Sequence, residues 1–292
     1  MQSPILLTGA SGLIGGAVTN LLDRESRSWR SVSHRDSGWD PAHGTMADHV
    51  LGDADTVIHL AGESIAGLRW TNAKKQRIYD SRVYGTRAVA EAMARRDKPP
   101  STLVCASAVG YYGDRGDEEL TEDAEPGSGF LADVVRDWEA AADPAREAGV
   151  RVVHLRLGVV LSPKGGALGQ MLPAFRLGLG GRLSTGDMWM SWVHLRDVAR
   201  AFVRAGEDDA WTGVYNVTAP TPVTNRTFTH ALGRVLHRPT ALPVPAFAIK
   251  LGLGEMGDAL LLSSTRAVPE RLSKAGFTFE YSHVEPALKD LL

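Results

Sequence analysis

The run Thr8-Gly9-Ala10-Ser11-Gly12-Leu13-Ile14-Gly15 limits the possible folds more than any other segment, because it follows the apolar Ile5-Leu6-Leu7 directly and opens a helical pattern over Gly12 to Leu22. Glycines at this spacing have separate tasks in a strand–turn–helix unit. Gly9 permits the tight turn, Gly12 lets backbone approach a pyrophosphate, and Gly15 lets the helix lie close on the strand. The unpaired N–H groups of the first helical turn then face the phosphates. A turn of this kind points to an α/β fold with parallel strands and to a dinucleotide ligand.

The rest of the chain keeps that rhythm. Short apolar runs at Thr56 to Leu60 and Thr102 to Ala106 are followed by helical patterns over Ala73 to Met93 and Phe130 to Ala142, and Val150 to Leu155 adds a further buried strand. After Leu161 the pattern changes to Gly165-Gly166 and Leu177-Gly178-Leu179-Gly180-Gly181, and a strand-like run returns at Val214 to Val217. The expected fold class is α/β: a Rossmann doubly wound parallel sheet with a smaller C-terminal substrate-side domain. The expected division is 1–164 and 190–218 for a discontinuous dinucleotide-binding domain, and 165–189 and 219–292 for the smaller cap. Within the cap, Asn225 precedes a helical pattern from Arg226 to Val235, and Phe277 to Tyr281 alternates like a strand.

Composition excludes several classes of protein. With 292 residues, 43% apolar and 23% charged, the chain can bury a full core and is neither fibrous nor disordered in character. A formal charge of -2 argues against a broad surface for nucleic acid or anionic lipid, so any anion site must be local. No apolar run approaches the ~20 residues of a membrane span, and the N-terminus lacks the pattern of a secretory signal. A cytoplasmic protein is expected, with Cys105 a reduced and buried thiol. The oligomeric state is left open.

The second strand of such a fold delivers a residue to the adenosine ribose roughly 20 positions beyond the turn. That region reads Ser31-Val32-Ser33-His34-Arg35. No acid stands at the strand end, and the Arg35 guanidinium suits a 2′-phosphate, so the expected cofactor is NADP. The small residues of Leu60-Ala61-Gly62 would let backbone approach the adenosine side. His59, alone inside an apolar strand, reads as a core residue.

Taken together, several stretches resemble the extended, epimerase-like branch of the short-chain dehydrogenase/reductases, and within it the NAD-dependent epimerase/dehydratase family. They are Thr8 to Gly15, Leu60-Ala61-Gly62-Glu63 with Arg69-Trp70, Ser81-Arg82, Tyr111-Tyr112-Gly113, Trp138-Glu139, Gly165-Gly166-Ala167, Phe175 to Gly181, and Ser191-Trp192-Val193-His194 with Asp197. The C-terminal part, with Pro243-Val244-Pro245 and Gly276-Phe277, is similar to a small domain of unknown function found in that family. The resemblance implies NADP contacts from Gly9 to Gly15, Ser33 to Arg35, Leu60, Ala61, Arg82 and Val160. Arg82 stands where related chains usually carry asparagine, and its guanidinium would reach a phosphate or a carboxylate unless it pairs with a neighbour such as Asp80.

The superfamily's proton-transfer pair, a tyrosine with a lysine four residues later, is missing where the resemblance implies it: the segment reads Phe130-Leu131-Ala132-Asp133-Val134. The substitutes within reach are Ser107, which would face the nicotinamide, and Tyr111 or Tyr112 on the following loop. An unassisted phenol is a weak base at neutral pH. Ser107 lacks the flanking glycine of a nucleophile elbow, and the histidines are scattered, so neither a hydrolase nor a metal site is expected. Arg176, Trp189, Trp192 and His194 are expected on the far side of the pocket, facing a small-molecule substrate that is planar or acidic, and Asp197 is expected to cap the next helix. These readings favour an NADP-dependent oxidoreductase or epimerase-like enzyme. The contrasting reading is an NADP-binding module without catalysis, and the third is a strict sugar-nucleotide epimerase retaining NAD.

Overall fold

The computed structural model describes residues 4–33, 38–67 and 69–292. Six parallel strands form the central sheet: β1 (Ile5–Thr8), β2 (Trp29–Val32), β3 (Thr56–His59), β4 (Thr102–Ala108), β5 (Arg151–Leu157) and β6 (Gly213–Val217). Their spatial order is β6-β5-β4-β3-β1-β2, so the winding reverses between β1 and β3. Ile5 pairs with Trp29 on one side and with Thr56 on the other. The C-terminal ends of β1 and β3 therefore flank the crevice where open α/β sheets take their ligands.

Period-two alternation divides the strands between two cores. Leu7, Ile58, Val104 and Val153 face one side with α1 (Leu13–Arg24) and a later helix at Leu195–Glu207. Leu6, Val57, Leu103, Cys105 and Val152 face the other side with α2 (Asn72–Ala94). Both faces are apolar, as a parallel sheet covered by crossover helices requires. Burial pushes the Cys105 thiol up to about 12, which keeps it protonated.

Beyond β5 the chain builds a third core. α3 (Phe130–Ala140) precedes it in the chain, and α4 (Gly166–Arg176), α5 (Leu195–Glu207), α6 (Asn225–Leu236), α7 (Ala246–Leu253) and α8 (Val284–Leu291) follow. Leu168, Phe175, Trp192, Phe228, Leu232 and Leu288 pack there, contributed by α4, α6, α8 and the short strand Trp192–His194. Among the described residues no helix is long and apolar enough to cross a membrane.

Two local expectations need correction. α5 begins at Leu195 with His194 as its N-cap, whose Nδ1 accepts the Arg196 N–H at 3.1 Å. Asp197 is therefore not the cap. It is fully buried and accepts the backbone N–H groups of Glu280 and Tyr281 at 2.8 and 3.2 Å, while Arg200 donates to it at 2.9 Å. That clamp also explains why Phe277 to Tyr281 forms no strand. Their burial alternates, but two of the backbone N–H groups bond to a carboxylate instead of a neighbouring strand.

Candidate functional site

The turn after β1 is built from backbone. Gly9 has φ +72°, and a methyl group on it would stand 2.8 Å from the Ala61 nitrogen. On Gly15 a methyl would lie 2.2 Å from the Gly9 carbonyl oxygen, so α1 and β1 meet at a distance only glycine allows. Gly12 is the N-cap of α1 and no side chain caps that end. Ser11 and Gly12 are exposed, leaving the first-turn N–H groups open to an anion. Thr8 holds the strand ends together: its hydroxyl oxygen accepts the Leu60 and Ala61 N–H groups at 3.2 and 3.3 Å and lies 2.7 Å from His59 Nδ1. His59 is fully buried in the core, and burial lowers its pKa to about 4.

Other residues expected at this site converge on it. Leu13 comes within 3.9 Å of a methyl placed on Gly165, and Val160 carbonyl within 3.5 Å of one on Gly166, so the loop after β5 folds beside the glycine turn. Arg82, on α2, donates to the Glu63 carbonyl at 2.9 Å, passes 3.6 Å from a methyl built on Gly62, and rests over Trp138 at 5.1 Å. Asp80 instead accepts from Gln76 at 2.7 Å, so Arg82 does not pair with it. Burial lowers Arg82 to about 10, still charged at neutral pH. Ser33 is exposed just past β2, while His34 and Arg35 lie outside the described residues.

After β4 the site is built from side chains. Strand pairing sets Ser107, Arg156 and Asn216 abreast on three neighbouring strands. Ser107 donates to Glu139 Oε1 at 2.5 Å, and Arg156 grips both Glu139 oxygens at 2.8 and 2.7 Å. The same guanidinium donates to the Tyr112 oxygen at 3.0 Å, and Tyr112 donates to Asn216 Oδ1 at 2.8 Å. Tyr111 lies face-on over Arg156, 3.4 Å from its ring centroid. Burial would raise Glu139, but the hydrogen bonds and charge of Arg156 outweigh it and hold the carboxyl below its ordinary value. Burial raises the Tyr112 phenol.

This arrangement separates the three residues expected to act on protons. Tyr112 is fully buried with its hydroxyl satisfied at both ends, and Ser107 is 2% exposed with its proton given to Glu139. Only Tyr111 of the three is partly exposed. α3 offers no replacement phenol or ammonium, since it carries neither tyrosine nor lysine and turns Val134 into the core.

A cleft of about 620 Å³ opens beside this network, between the start of α3 and the C-terminal cap. Phe130, Leu131, Met188, Ala246, Ala259 and Leu262 give it an apolar lining, with Asp114, Lys250, Glu255 and Asp258 among them. The residues expected to face a substrate are not there. Trp192 is fully buried in the third core and donates to the Thr221 carbonyl, Trp189 donates to Asp117 at 2.9 Å beneath Arg266, and Arg176 is exposed at the end of α4. None of the three lines the cleft. Arg156 and Asn216 were legible as anomalies, polar residues inside apolar strands that need buried partners. The charged cleft residues carry no such signal.

Comparison with known proteins agrees with this architecture. The NAD dependent epimerase/dehydratase family matches residues 5–218, and a domain of unknown function, DUF1731, matches residues 244–291. An epimerase family protein of Mycobacterium bovis is 42% identical over 290 residues, covering 97% of this chain and 96% of its own. The Bacillus subtilis epimerase family protein YfhF is 37% identical over 298 residues, with coverage of 99% and 97%. The crystal structure of human epimerase family protein SDR39U1 with NADPH superposes with a TM-score of 0.89 at 31% identity, covering 99% and 98% of the two chains. The chain therefore belongs to the NAD-dependent epimerase/dehydratase family and carries that family's DUF1731 domain at its C-terminal end.

Proposed function

We propose that this chain binds NADP(H) in the crevice after β1 and β3 and is an oxidoreductase or epimerase-like enzyme acting on a small organic molecule in the adjoining cleft. The carrying observation is the glycine cradle: three positions where a methyl would meet backbone at 3.3 Å or less, ending at an uncapped helix N-terminus. A tight glycine turn that opens onto an uncapped helix N-terminus suits the pyrophosphate of a dinucleotide. The NADPH bound by human SDR39U1 and the position of Arg35 in the sequence favour NADP over NAD.

When bound, the nicotinamide supplies a hydride donor or acceptor. The remaining tasks fall to the chain. First-turn N–H groups of α1 hold the pyrophosphate, and Leu60 to Gly62 allow close approach at the adenosine side. Arg82 presents a partly buried positive charge beside Gly62. The Glu139–Arg156 pair fixes Ser107 and the loop that carries Tyr111. Tyr111 is the proton donor in this reading: its phenol is not sealed into the network, and although Tyr111 itself does not line the cleft, Gly110 and Gly113 on either side of it do.

A binding module without turnover is the second reading, favoured by the absence of tyrosine and lysine from α3. Titration calorimetry with NADPH and NADH on wild type, Arg35→Ala and Gly12→Ala tests the cofactor assignment. A methyl on Gly12 meets the Gly9 oxygen at 3.3 Å, so the variant folds but crowds the phosphates. Expected are a preference for NADPH, its loss in Arg35→Ala, and roughly tenfold weaker binding in Gly12→Ala. Equal affinity for NADH in all three proteins would overturn the assignment. NADPH consumption with a panel of carbonyl compounds, abolished by Tyr111→Phe, separates the enzyme from the module.

A further inference from the structure

We infer that the cleft beside α3 is built for an uncharged, largely apolar carbonyl compound and rejects nucleoside-diphosphate sugars. This rests on the proposed binding of NADP(H) alongside it and goes on to name the substrate class. The argument comes from the charges that line the cleft. Three carboxylates, Asp114, Glu255 and Asp258, stand against one ammonium, Lys250, a net of -2 among the lining residues. Lys250 is already committed to Asp258 at 3.1 Å, and Glu255 is answered from outside the lining by Lys75 at 2.8 Å. Among the described residues Asp114 accepts backbone N–H groups, from Ser264 at 3.2 Å and Gly116 at 3.3 Å. Among the described residues no arginine lines the cleft.

A diphosphate needs cations or bidentate guanidinium groups at close range, whereas Lys250 is already paired with Asp258 and the Asp114 carboxylate, with no cation partner among the described residues, would repel its charge. The Arg176 expected for an acidic ligand is exposed elsewhere. The open N-terminus of α3 borders the cleft at Ser128 and Gly129, but Asp133 in its first turn already answers part of the dipole. Its N–H groups suit the oxygen of a neutral carbonyl. Phe130, Leu131, Met188 and Leu262 provide the apolar surface that would bury the rest of such a ligand.

The test is a competition series on the full chain saturated with NADP⁺, which cannot reduce the ketone probes, followed by calorimetry. The probes are the methyl ester of benzoylpropionate, benzoylpropionate itself, and UDP-glucose. The ester is expected to bind about tenfold tighter than the acid, and UDP-glucose not to bind. In Asp114→Asn and Asp258→Asn the acid should gain roughly tenfold while the ester is unchanged. Both residues are exposed and the amides keep an accepting oxygen, so folding is preserved. Binding of UDP-glucose, binding of the acid as tight as that of the ester, no binding of the ester, or variants that leave the acid unchanged would each overturn the inference. NADPH titration of the same proteins reads the cofactor assignment separately. If NADPH fails to bind, the ranking of the three probes is still measured on the apo chain.

Discussion

After β1 the site is made of backbone, held by three glycines and an uncapped helix end, whereas after β4 it is made of side chains locked together by Glu139 and Arg156. The first construction leaves no room for a side chain on Gly9 or Gly15. The second tolerates no lost partner. A backbone cradle binds a feature common to all dinucleotides, so it leaves one recognisable spacing in the sequence. A side-chain network draws Ser107, Tyr112, Glu139, Arg156 and Asn216 from distant segments, and its members have meaning only together.

The sharpest way to break this comparison is to remove one partner of the network. Glu139→Ala strands the Arg156 guanidinium, whose side chain is 3% exposed, without its bidentate acceptor. Uncompensated buried charge of this kind costs about 3–5 kcal/mol. Chemical denaturation should show that loss, and the double variant Glu139→Leu with Arg156→Met should recover most of it. A loss below about 1 kcal/mol for Glu139→Ala would mean that the network is not what holds this end of the site.

Acid is the next probe, because each region has a buried neutral histidine. His59 lies under the glycine turn and His154 near Glu139, and burial lowers each to about 4 from an ordinary 6.5. In the unfolded chain both take up protons below 6.5, while in the folded chain they do so only near 4. The stability they confer is complete above 6.5 and is lost as pH falls through that window, on the order of 3 kcal/mol each at the limit. Glu122 and Asp197, raised by burial, act in the opposite sense. Comparing wild type with His59→Gln and His154→Gln isolates each share. Melting temperature should fall less steeply from pH 7 to pH 4.5 in either variant, and an unchanged slope in both would refute the histidine assignment.

This difference in construction also decides what could be read from the sequence. The strands at Ile5, Thr56, Thr102 and Arg151 announce themselves by apolar runs, and the glycine turn by spacing that backbone sterics impose. Trp192 misled because an aromatic beside a family motif looks like a ligand platform, yet it is fully buried within the third core. Asp197 misled because an acid before a helical pattern reads as a cap, while its real partners lie 83 and 84 residues away. Long-range pairing of this kind leaves no local periodicity. The cleft is the extreme case, since Asp114, Lys250 and Asp258 are ordinary surface residues until the cap folds over α3.

The smallest effects sharpen the backbone half of the comparison by opposing two glycines seven residues apart. Gly9→Ala forces a side chain into φ +72° and against the Ala61 nitrogen at 2.8 Å, which should destabilise by about 1–3 kcal/mol. Gly16 lies inside α1 with open space where its methyl would go, so Gly16→Ala should stabilise by about 1 kcal/mol through helix propensity. Denaturation curves for the pair should therefore shift in opposite directions. If both variants were destabilised alike, the cost would belong to the helix as a whole and not to the close approach of Gly9 to Ala61. Opposite shifts would locate the steric demand in the turn itself, where the cradle argument requires it to be.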